Sequence, residues 1–298
     1  MKEDSPLTLD ELASVAAEKI DALRSRVIRK ANGALPYDYI VPNGVYEELW
    51  DWDAFFVGLH LISENRADGI YLKNWCLNFL HFTEPDGQTP GGIRPWAGRD
   101  ARLYHIKPLL GQAAYYASLS LGDFGWIEPV WDRMKAGVTY RERKMSDAAT
   151  GLIKWWDSLE SGADNNPALV RTYHNSIAGV DVNAFMLLDY RAMTVIADRL
   201  DKPDDTRAFR ERAQLLGRAV NVHLWDPGDA GQVAERVTRL CLEDLAANGM
   251  MHENYHSETG APLAAPNFIS WNLLVAQMIE EARTRVFKPD PTQALWIE

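Results

Sequence analysis

The clearest structural pattern in the chain is the run VNAFMLLDYRAMTVIADRLDKPDDTRAFRERAQLLGRAVNVHLW, residues 182–225. Apolar residues recur at helical spacing on both sides of Asp201-Lys202-Pro203, a sequence typical of a turn. We therefore predict helices from Val182 to Leu200 and from Thr206 to Trp225. Their apolar faces should pack against each other as a helical hairpin.

The same periodicity extends through most of the chain. It predicts further helices at Leu9 to Ala31, Asp51 to Ser63, Ile70 to Phe82, Pro108 to Leu121, Asp123 to Arg143, Gln232 to Ala247 and Phe268 to Val286. Alternating strand patterns are short and interrupted, so the predicted fold class is all-α.

The order of the predicted helices is typical of either a solenoid or a closed toroid. Long loops at 37–50, 83–96 and 157–173 carry polar and aromatic residues and favour an (α/α) toroid of helical hairpins. A solenoid array would show an internal sequence repeat, and the sequence has none. We expect residues 1–298 to form one such domain.

The composition excludes several classes of partner. The chain has 42 acidic and 31 basic residues, and its net charge of -11 would repel a nucleic acid. No stretch approaches the ~20 apolar residues of a membrane span. The first residues, MKEDSPLTLD, carry acids where a signal peptide needs an apolar run, and Cys76 and Cys241 have apolar neighbours that suit reduced thiols. We therefore expect a cytoplasmic protein that does not bind membranes.

Three segments combine carboxylates, amides and aromatic residues in loops or at helix ends. They are VYEELWDWDAFF at 45–56, WWDSLESGADNNP at 155–167 and HENYHSETG at 252–260. Each acidic residue taken alone is more often a helix cap than a catalytic group. The chain also has 11 Trp and 11 Tyr, most of which would fill the core. Aromatic faces beside carboxylates are, alternatively, typical of a cleft that binds sugar rings.

The motifs WDWDAFF, ESGADNNP and HENYHSETG, in this order, resemble a group of inverting α-glycosidases. The group contains trehalases, processing α-glucosidases and the hydrolases of mannosylglycerate and glucosylglycerate, and residues 180–193 and 268–281 resemble it as well. The resemblance implies a toroid of helical hairpins, with the general acid at Asp164 and the general base at Glu253. Hydrolysis with inversion needs two carboxyl groups about 6.5–9.5 Å apart, with space for a water between one of them and the sugar.

The same resemblance implies contact with a saccharide at Trp50, Trp52 and Asp53. The expected substrate is a small α-glucoside or α-mannoside, such as glucosylglycerate, mannosylglycerate or trehalose, and neither a metal ion nor a cofactor is expected. Further candidates for substrate contact, each with a structural role as the alternative, are Arg94, Trp96, Lys107, Gln112, Trp156, Tyr173 and Trp271.

The chain departs from the group after Asp226. Members usually carry a long segment between the LWD that ends at Asp226 and the final E-N-Y motif, including a tryptophan-rich stretch. Here LWDPGDAGQ leads almost directly to the next predicted helix. Removing hairpins leaves apolar faces open or closes the ring on a smaller circle. We therefore expect an incomplete toroid, and a homo-oligomer is one way to cover the gap.

Two other interpretations stay open. HENYH at 252–256 matches the zinc pattern H-E-x-x-H, which needs a helix to bring both histidines together. Asn248-Gly249 and Thr259-Gly260 leave little room for such a helix. The other alternative is a catalytically impaired homologue that binds a sugar or another protein without hydrolysing it.

Overall fold

The structure of the chain is a computed structural model that describes residues 26–42, 46–99, 104–162, 175–224, 239, 242–249, 251–255 and 261–266. Its helices are α1 (Asp51–Glu64), α2 (Gly69–His81), α3 (Leu110–Leu121), α4 (Trp131–Met145), α5 (Ser158–Ser161), α6 (Val180–Arg199) and α7 (Pro203–His223). Residues 242–248 are also helical. The predicted all-α fold class is therefore confirmed.

The hairpin predicted from residues 182–225 is present. Helix α6 ends at Arg199 and α7 begins at Pro203, where the missing N–H of proline is tolerated because it lies in the first turn. The two helices pack along each other, α3 packs between α2 and α6, and α1 packs against α2. Closure of these helices into a ring stays a prediction.

Helices α3 and α6 approach closely at Gly111. A Cβ at Gly111 would lie 2.9 Å from Met193 Cγ and 3.0 Å from Asp189 Oδ1, so a larger residue would push the helices apart. Asp189 Oδ1 accepts the backbone N–H of Gln112 at 2.9 Å. Because the first N–H groups of a helix have no partner within it, Asp189 of α6 caps the start of α3.

Short strands connect the helices. Strand β1 (Ile28–Arg29) pairs with β2 (Tyr39–Ile40), and β3 (Leu49–Trp50), β4 (Gly92–Arg94) and β5 (Gly98–Arg99) form an antiparallel sheet in that order. Strand β6 (His252–Tyr255) pairs with β7 (Pro262–Pro266). Strand β3 continues directly into α1, which fixes the position of the WDWD motif.

The helix predicted from Leu9 to Ala31 is wrong at its end. Residues Ile28 and Arg29 form strand β1, with Ile28 opposite Ile40, and the backbone N–H of Val41 donates to Val27 O at 2.8 Å. The apolar spacing continues through this region, but pairing with a segment further along the chain overrides it. Residues 9–25 lie outside the described residues.

The single helix predicted from Asp123 to Arg143 is divided in two. A 3₁₀-helix spans Gly125–Val130, and α4 begins at Trp131. Pro129 explains the break, because proline has no backbone N–H to donate and disfavours helical geometry at the residue before it.

One buried cluster connects the described parts of the chain. It contains Trp75 of α2, Phe209 of α7, and also Leu242, Leu245 and Met251 from the later part of the sequence. Helix α7 and residues 242–249 and 251 therefore belong to the same core.

Among the described helices, none is long and apolar enough to span a membrane.

Candidate active site

The indole of Trp52 lies at the centre of the region that the motifs single out. Its ring meets Phe56 edge-on at 4.8 Å and Phe185 of α6 at 5.2 Å, measured between ring centroids. The side chain is partly buried. Trp52 therefore lies where the first turn of α1 meets α6.

Asp51, directly before Trp52, forms a buried ion pair with Lys107. Lys107 Nζ lies 3.0 Å from Asp51 Oδ1, and the side chains are 1% and 0% exposed. The ammonium also donates to Tyr104 Oη at 3.1 Å, and the backbone N–H of Lys107 donates to Asp51 Oδ2 at 2.8 Å. Buried charges need such additional hydrogen bonds to offset the loss of water. The pair fixes the segment around Lys107 against the start of α1.

The end of α5 reaches the same place. Gly162 follows α5 with a φ of 72°, in the left-handed region that glycine adopts readily. A Cβ at Gly162 would lie 3.2 Å from Lys107 Cε and 3.3 Å from Trp52 Cδ2. The backbone of the ESGADNNP motif thus touches the WDWD motif.

Glu160 anchors α5 from inside the protein. Its Oε1 lies 3.0 Å from Arg141 Nη2, with exposed fractions of 0% and 1% for the two side chains. Its Oε2 accepts the backbone N–H of Trp156. Arg141 Nη2 also donates to the carbonyls of His105 at 3.2 Å and Ile106 at 2.9 Å. One guanidinium of α4 therefore joins α5 to the segment that carries Lys107.

Burial shifts the pKa values of two further groups close to Arg141 in the direction that favours the neutral form of each. Burial raises the pKa of Asp189 to about 7, against the hydrogen bonds from the Gln112 and Gly111 amides and the charge of Arg141. Burial, together with the charge of Arg141, lowers the pKa of His105 well below its ordinary 6.5. His105 Nδ1 accepts the backbone N–H of Thr89 at 3.1 Å, which fixes its tautomer.

The two buried carboxylates near Trp52 form a frame and are unsuited to acid–base catalysis. Asp51 and Glu160 are both 0% exposed, and each is bound to a cation. A general acid must come within hydrogen-bond distance of a substrate oxygen. The frame instead fixes the position of the Trp52 ring and of the chain that leaves α5.

Other predicted substrate contacts lie on the same strand–helix junction. Trp50 is in β3, opposite Gly92, and Asp53 is a partly exposed residue in the first turn of α1. Arg94 ends β4, where it pairs with Gly98. The structure thus brings Trp50, Asp53 and Arg94 to adjacent elements.

Two predicted residues are exposed tryptophans. Trp96 is 66% exposed in the turn between β4 and β5, and Trp156 is 42% exposed before α5. The carbonyl of Trp156 accepts the backbone N–H of Asn175 at 2.9 Å. A sugar ring can stack on the flat apolar face of an exposed indole.

Gln112 has a different environment. Only 3% of it is exposed, and its Nε2 donates to Pro108 O at 2.8 Å and Phe185 O at 3.0 Å. These bonds connect the start of α3 to α6. We therefore leave Gln112 out of the proposed substrate contacts.

The remaining predicted residues are placed in part or fall outside the described residues. Asp164, Tyr173 and Trp271 fall outside them. Glu253 is described by its backbone, within β6. The residue before it, His252, has Nδ1 2.8 Å from Asp244 Oδ2, and this contact connects β6 to helical residues 242–248.

The zinc interpretation of HENYH does not fit the structure. Residues His252–Tyr255 form a strand, whereas the pattern needs a helix to place two histidines on one face. Within the part of the chain that the structure describes, no group of three or more His, Cys, Asp or Glu side chains could hold a metal ion.

Sequence reasoning missed the pair of Arg141 and Glu160 in the buried frame. Arg141 lies on the buried face of α4 with Met134, Val138 and Met145. A charged residue on an apolar helix face needs a buried partner, so the position of Arg141 indicates a buried ion pair. Glu160 lies in the ESGADNNP motif, but nothing in the sequence indicates that Arg141 is its partner.

The chain is similar to a family of glycoside hydrolases and to solved structures. Residues 46–234 match the family described as the mannosylglycerate hydrolase MGH1-like glycoside hydrolase domain. A rhamnosidase from Klebsiella oxytoca with rhamnose bound has a TM-score of 0.50 and 16% identity over 76% of this chain, which spans 40% of the rhamnosidase. This likeness shows a shared fold. A D-mannose isomerase has a TM-score of 0.46 and 11% identity, over 93% of this chain and 85% of the isomerase.

The family match includes the region where Trp52 and Gly162 meet, and it ends before Glu253. It runs from before the WDWD motif, through α5 and Gly162, to beyond the end of α7. More than half of the chain is matched, and the resemblance to mannosylglycerate hydrolases is confirmed at the level of the family. The chain belongs to the family of mannosylglycerate hydrolase MGH1-like glycoside hydrolase domains.

Proposed function

We propose that this chain is a glycoside hydrolase that cleaves a small α-glucoside or α-mannoside with inversion. Asp164 acts as the general acid and Glu253 as the general base, and Trp50, Trp52 and Asp53 contact the sugar. The candidate substrates are mannosylglycerate, glucosylglycerate and trehalose. Family membership supports the reaction class, and one contact, between Gly162 and Trp52, supports the placement of the acid.

Chain geometry limits how far Asp164 can lie from the Trp52 ring. Gly162 is in contact with that ring, and a chain spans at most about 3.3–3.6 Å per residue. Two residues further on, the Asp164 backbone is therefore within about 7 Å of Gly162. We infer that an aspartate at that distance can reach a sugar bound beside Trp52.

The state of the other carboxylates supports the same assignment. Asp51 and Glu160 are fully buried and bound to Lys107 and Arg141, so neither is available to protonate a leaving group. An acid from the segment after Gly162 would supply the proton that the leaving group needs. The His252–Asp244 contact supports Glu253 as base, because it anchors the backbone directly before Glu253.

We further propose that residues 1–298 form one domain whose wall is shortened after Asp226. The burial of Leu242 and Leu245 in the same core as α2 and α7 supports a single domain. A shortened wall would expose apolar faces and favour self-association. Sedimentation velocity tests the expected self-association, and a monomer at all concentrations would contradict that expectation.

The direct test is release of free sugar from mannosylglycerate, glucosylglycerate, trehalose and short α-gluco-oligosaccharides. We expect turnover of at least one, and a loss of about 10²–10⁴-fold in kcat for Asp164→Asn and Glu253→Gln. Sugar binding, followed by tryptophan fluorescence, should persist in both variants. Asp204→Asn makes the same chemical change at an exposed residue and should keep full activity.

Proton NMR of the first product tests the stereochemistry. Mannosylglycerate and glucosylglycerate are the substrates for this test, because their hydrolysis with inversion yields the β-anomer first, whereas trehalose would release both anomers together. Appearance of the α-anomer first would contradict inversion. A fluorescence response to sugar with no release of product from any of these substrates would contradict the hydrolase assignment and favour a binding module.

A further inference from the structure

A small cavity, lined by buried residues and partly open, lies beside the segment that carries Lys107. Its volume is about 10 Å³, which on this measure is the space of a single water molecule. Its walls come from α4 and α6 and from residues 105–108, and they include Arg141, Asp189, His105 and Val138. The cavity therefore lies between the two helices that carry Arg141 and Asp189.

Two residues of the cavity walls each have one polar side-chain atom that is buried without a protein partner. Asp189 Oδ2 and Arg141 Nε have no hydrogen-bond partner among the described residues. Asp189 is 1% exposed and Arg141 is also 1% exposed. Their other polar atoms are bound, Asp189 Oδ1 to Gln112 and Arg141 Nη2 to Glu160. Buried polar atoms in folded proteins are nearly always satisfied, by protein or by ordered water.

We propose that this cavity binds one ordered water molecule, which accepts a hydrogen bond from Arg141 Nε and forms a second one with Asp189 Oδ2. The site is polar and has room for one water, and the water has two named partners, which are the conditions for a hydrated cavity. The water completes a continuous set of contacts from the start of α3, through Asp189 and Arg141, to Glu160 of α5. This proposal does not rest on the proposed hydrolase activity.

The protonation of the walls fits a water better than an ion. Burial raises the pKa of Asp189 to about 7, and burial together with Arg141 lowers the pKa of His105 well below 6.5. Around neutral pH, the guanidinium of Arg141 already has Glu160 as its counterion. A water can donate to an ionised Asp189 and accept from a protonated one, so it serves both states.

A crystal structure of the full chain at high resolution tests the proposal directly. We expect a density peak at hydrogen-bond distance, about 2.6–3.2 Å, from both Arg141 Nε and Asp189 Oδ2. A cavity without density, or a peak that contacts neither atom, would overturn the proposal.

Oxygen-17 relaxation dispersion provides a second test in solution, because it detects water molecules held inside a protein. Val138→Ile adds a methyl group to the cavity wall, and we expect it to remove the signal of one long-lived water and to lower the Tm. Val220→Ile adds the same group on α7, away from the cavity walls, and should keep the signal. A Val138→Ile variant with an unchanged signal and a higher Tm would indicate a dry cavity.

Discussion

Gly162 lies against the Trp52 indole so closely that a Cβ at this glycine would be 3.3 Å from Trp52 Cδ2. The two residues belong to motifs that are far apart in sequence. Their contact is the point at which the segment leading to Asp164 meets the WDWD motif. The packing of α1 and α5 therefore determines where the proposed general acid enters the site.

Gly162→Ala should lower both stability and activity. The alanine would strain a φ of 72° and would press on Trp52 and Lys107. Gly122→Ala is the matched control, because Gly122 has a φ of 69° with no neighbouring atom within 4 Å of the new Cβ. We expect a loss of about 1–2 kcal/mol of unfolding free energy for the control, from the backbone strain alone. Only Gly162→Ala should reduce kcat, and equal kinetics in the two variants would contradict the contact's role.

The Asp51–Lys107 pair should be strongly coupled. Lys107→Met leaves the Asp51 carboxylate buried without its cation, so we expect a loss of about 3–5 kcal/mol in urea unfolding. Adding Asp51→Asn should recover part of that loss, because the uncompensated charge is removed. Lys202→Met breaks the partly exposed pair with Glu128, at 2.8 Å, and should cost less than about 1 kcal/mol. Simple additivity of the Asp51 and Lys107 changes would contradict the coupling.

Trp96 and Trp156 should contribute to ligand affinity more than to stability. Trp96 is 66% exposed, so truncating it to alanine should change the unfolding free energy by about 0.5 kcal/mol at most. Loss of a stacking platform is expected to weaken sugar binding about tenfold. Isothermal titration with a substrate identified by the sugar-release assay measures this, and Val222→Ala, at another exposed apolar residue, is the control. Unchanged affinity in both tryptophan variants would exclude them from the site.

Asp189→Asn should change how stability depends on pH. The pKa of Asp189 is about 7 in the folded chain against 3.8 ordinarily, so between these values the folded state holds a proton that the unfolded state has released. Raising the pH from about 4 to about 7 therefore costs the wild type stability, at up to about 1.4 kcal/mol per pH unit. The contribution is complete below the unfolded pKa and lost by the folded one.

His105 acts in the opposite direction over part of the same range. Its pKa is lowered, so its contribution is present above 6.5 and lost as the pH falls. Both proteins retain His105, and the difference between their unfolding free energies isolates Asp189. We expect that difference to shift in favour of Asp189→Asn as the pH rises to about 7, and parallel curves would contradict the raised pKa.

Much of the helical framework could be predicted from the sequence. Predicted starts at Asp51 and Ile70 agree with the observed Asp51 and Gly69, because a local periodicity determines them. The strand at Ile28–Arg29 could not be predicted, because its partner Tyr39–Ile40 is selected by pairing and not by local pattern. Pro129 marks the break in the sequence, but a prediction that follows the apolar spacing continues the helix through it.

The candidate site was predictable as a set of motifs and not as a geometry. WDWDAFF and ESGADNNP stood out by composition, but the contact between Trp52 and Gly162 depends on how α1 and α5 pack. Asp189 and Arg141 lie on apolar helix faces, where their burial follows from the spacing. Their shared cavity follows only from the packing of α4 against α6.

The cap that Asp189 provides for α3 has a consequence for synthesis of the chain on the ribosome. The two bonded residues, Gln112 and Asp189, are 77 positions apart. At roughly 5–20 residues per second, the ribosome needs roughly 4–15 s to reach the second after the first. During that interval the N–H group of Gln112 depends on water, so the cap on α3 forms only after α6 has emerged.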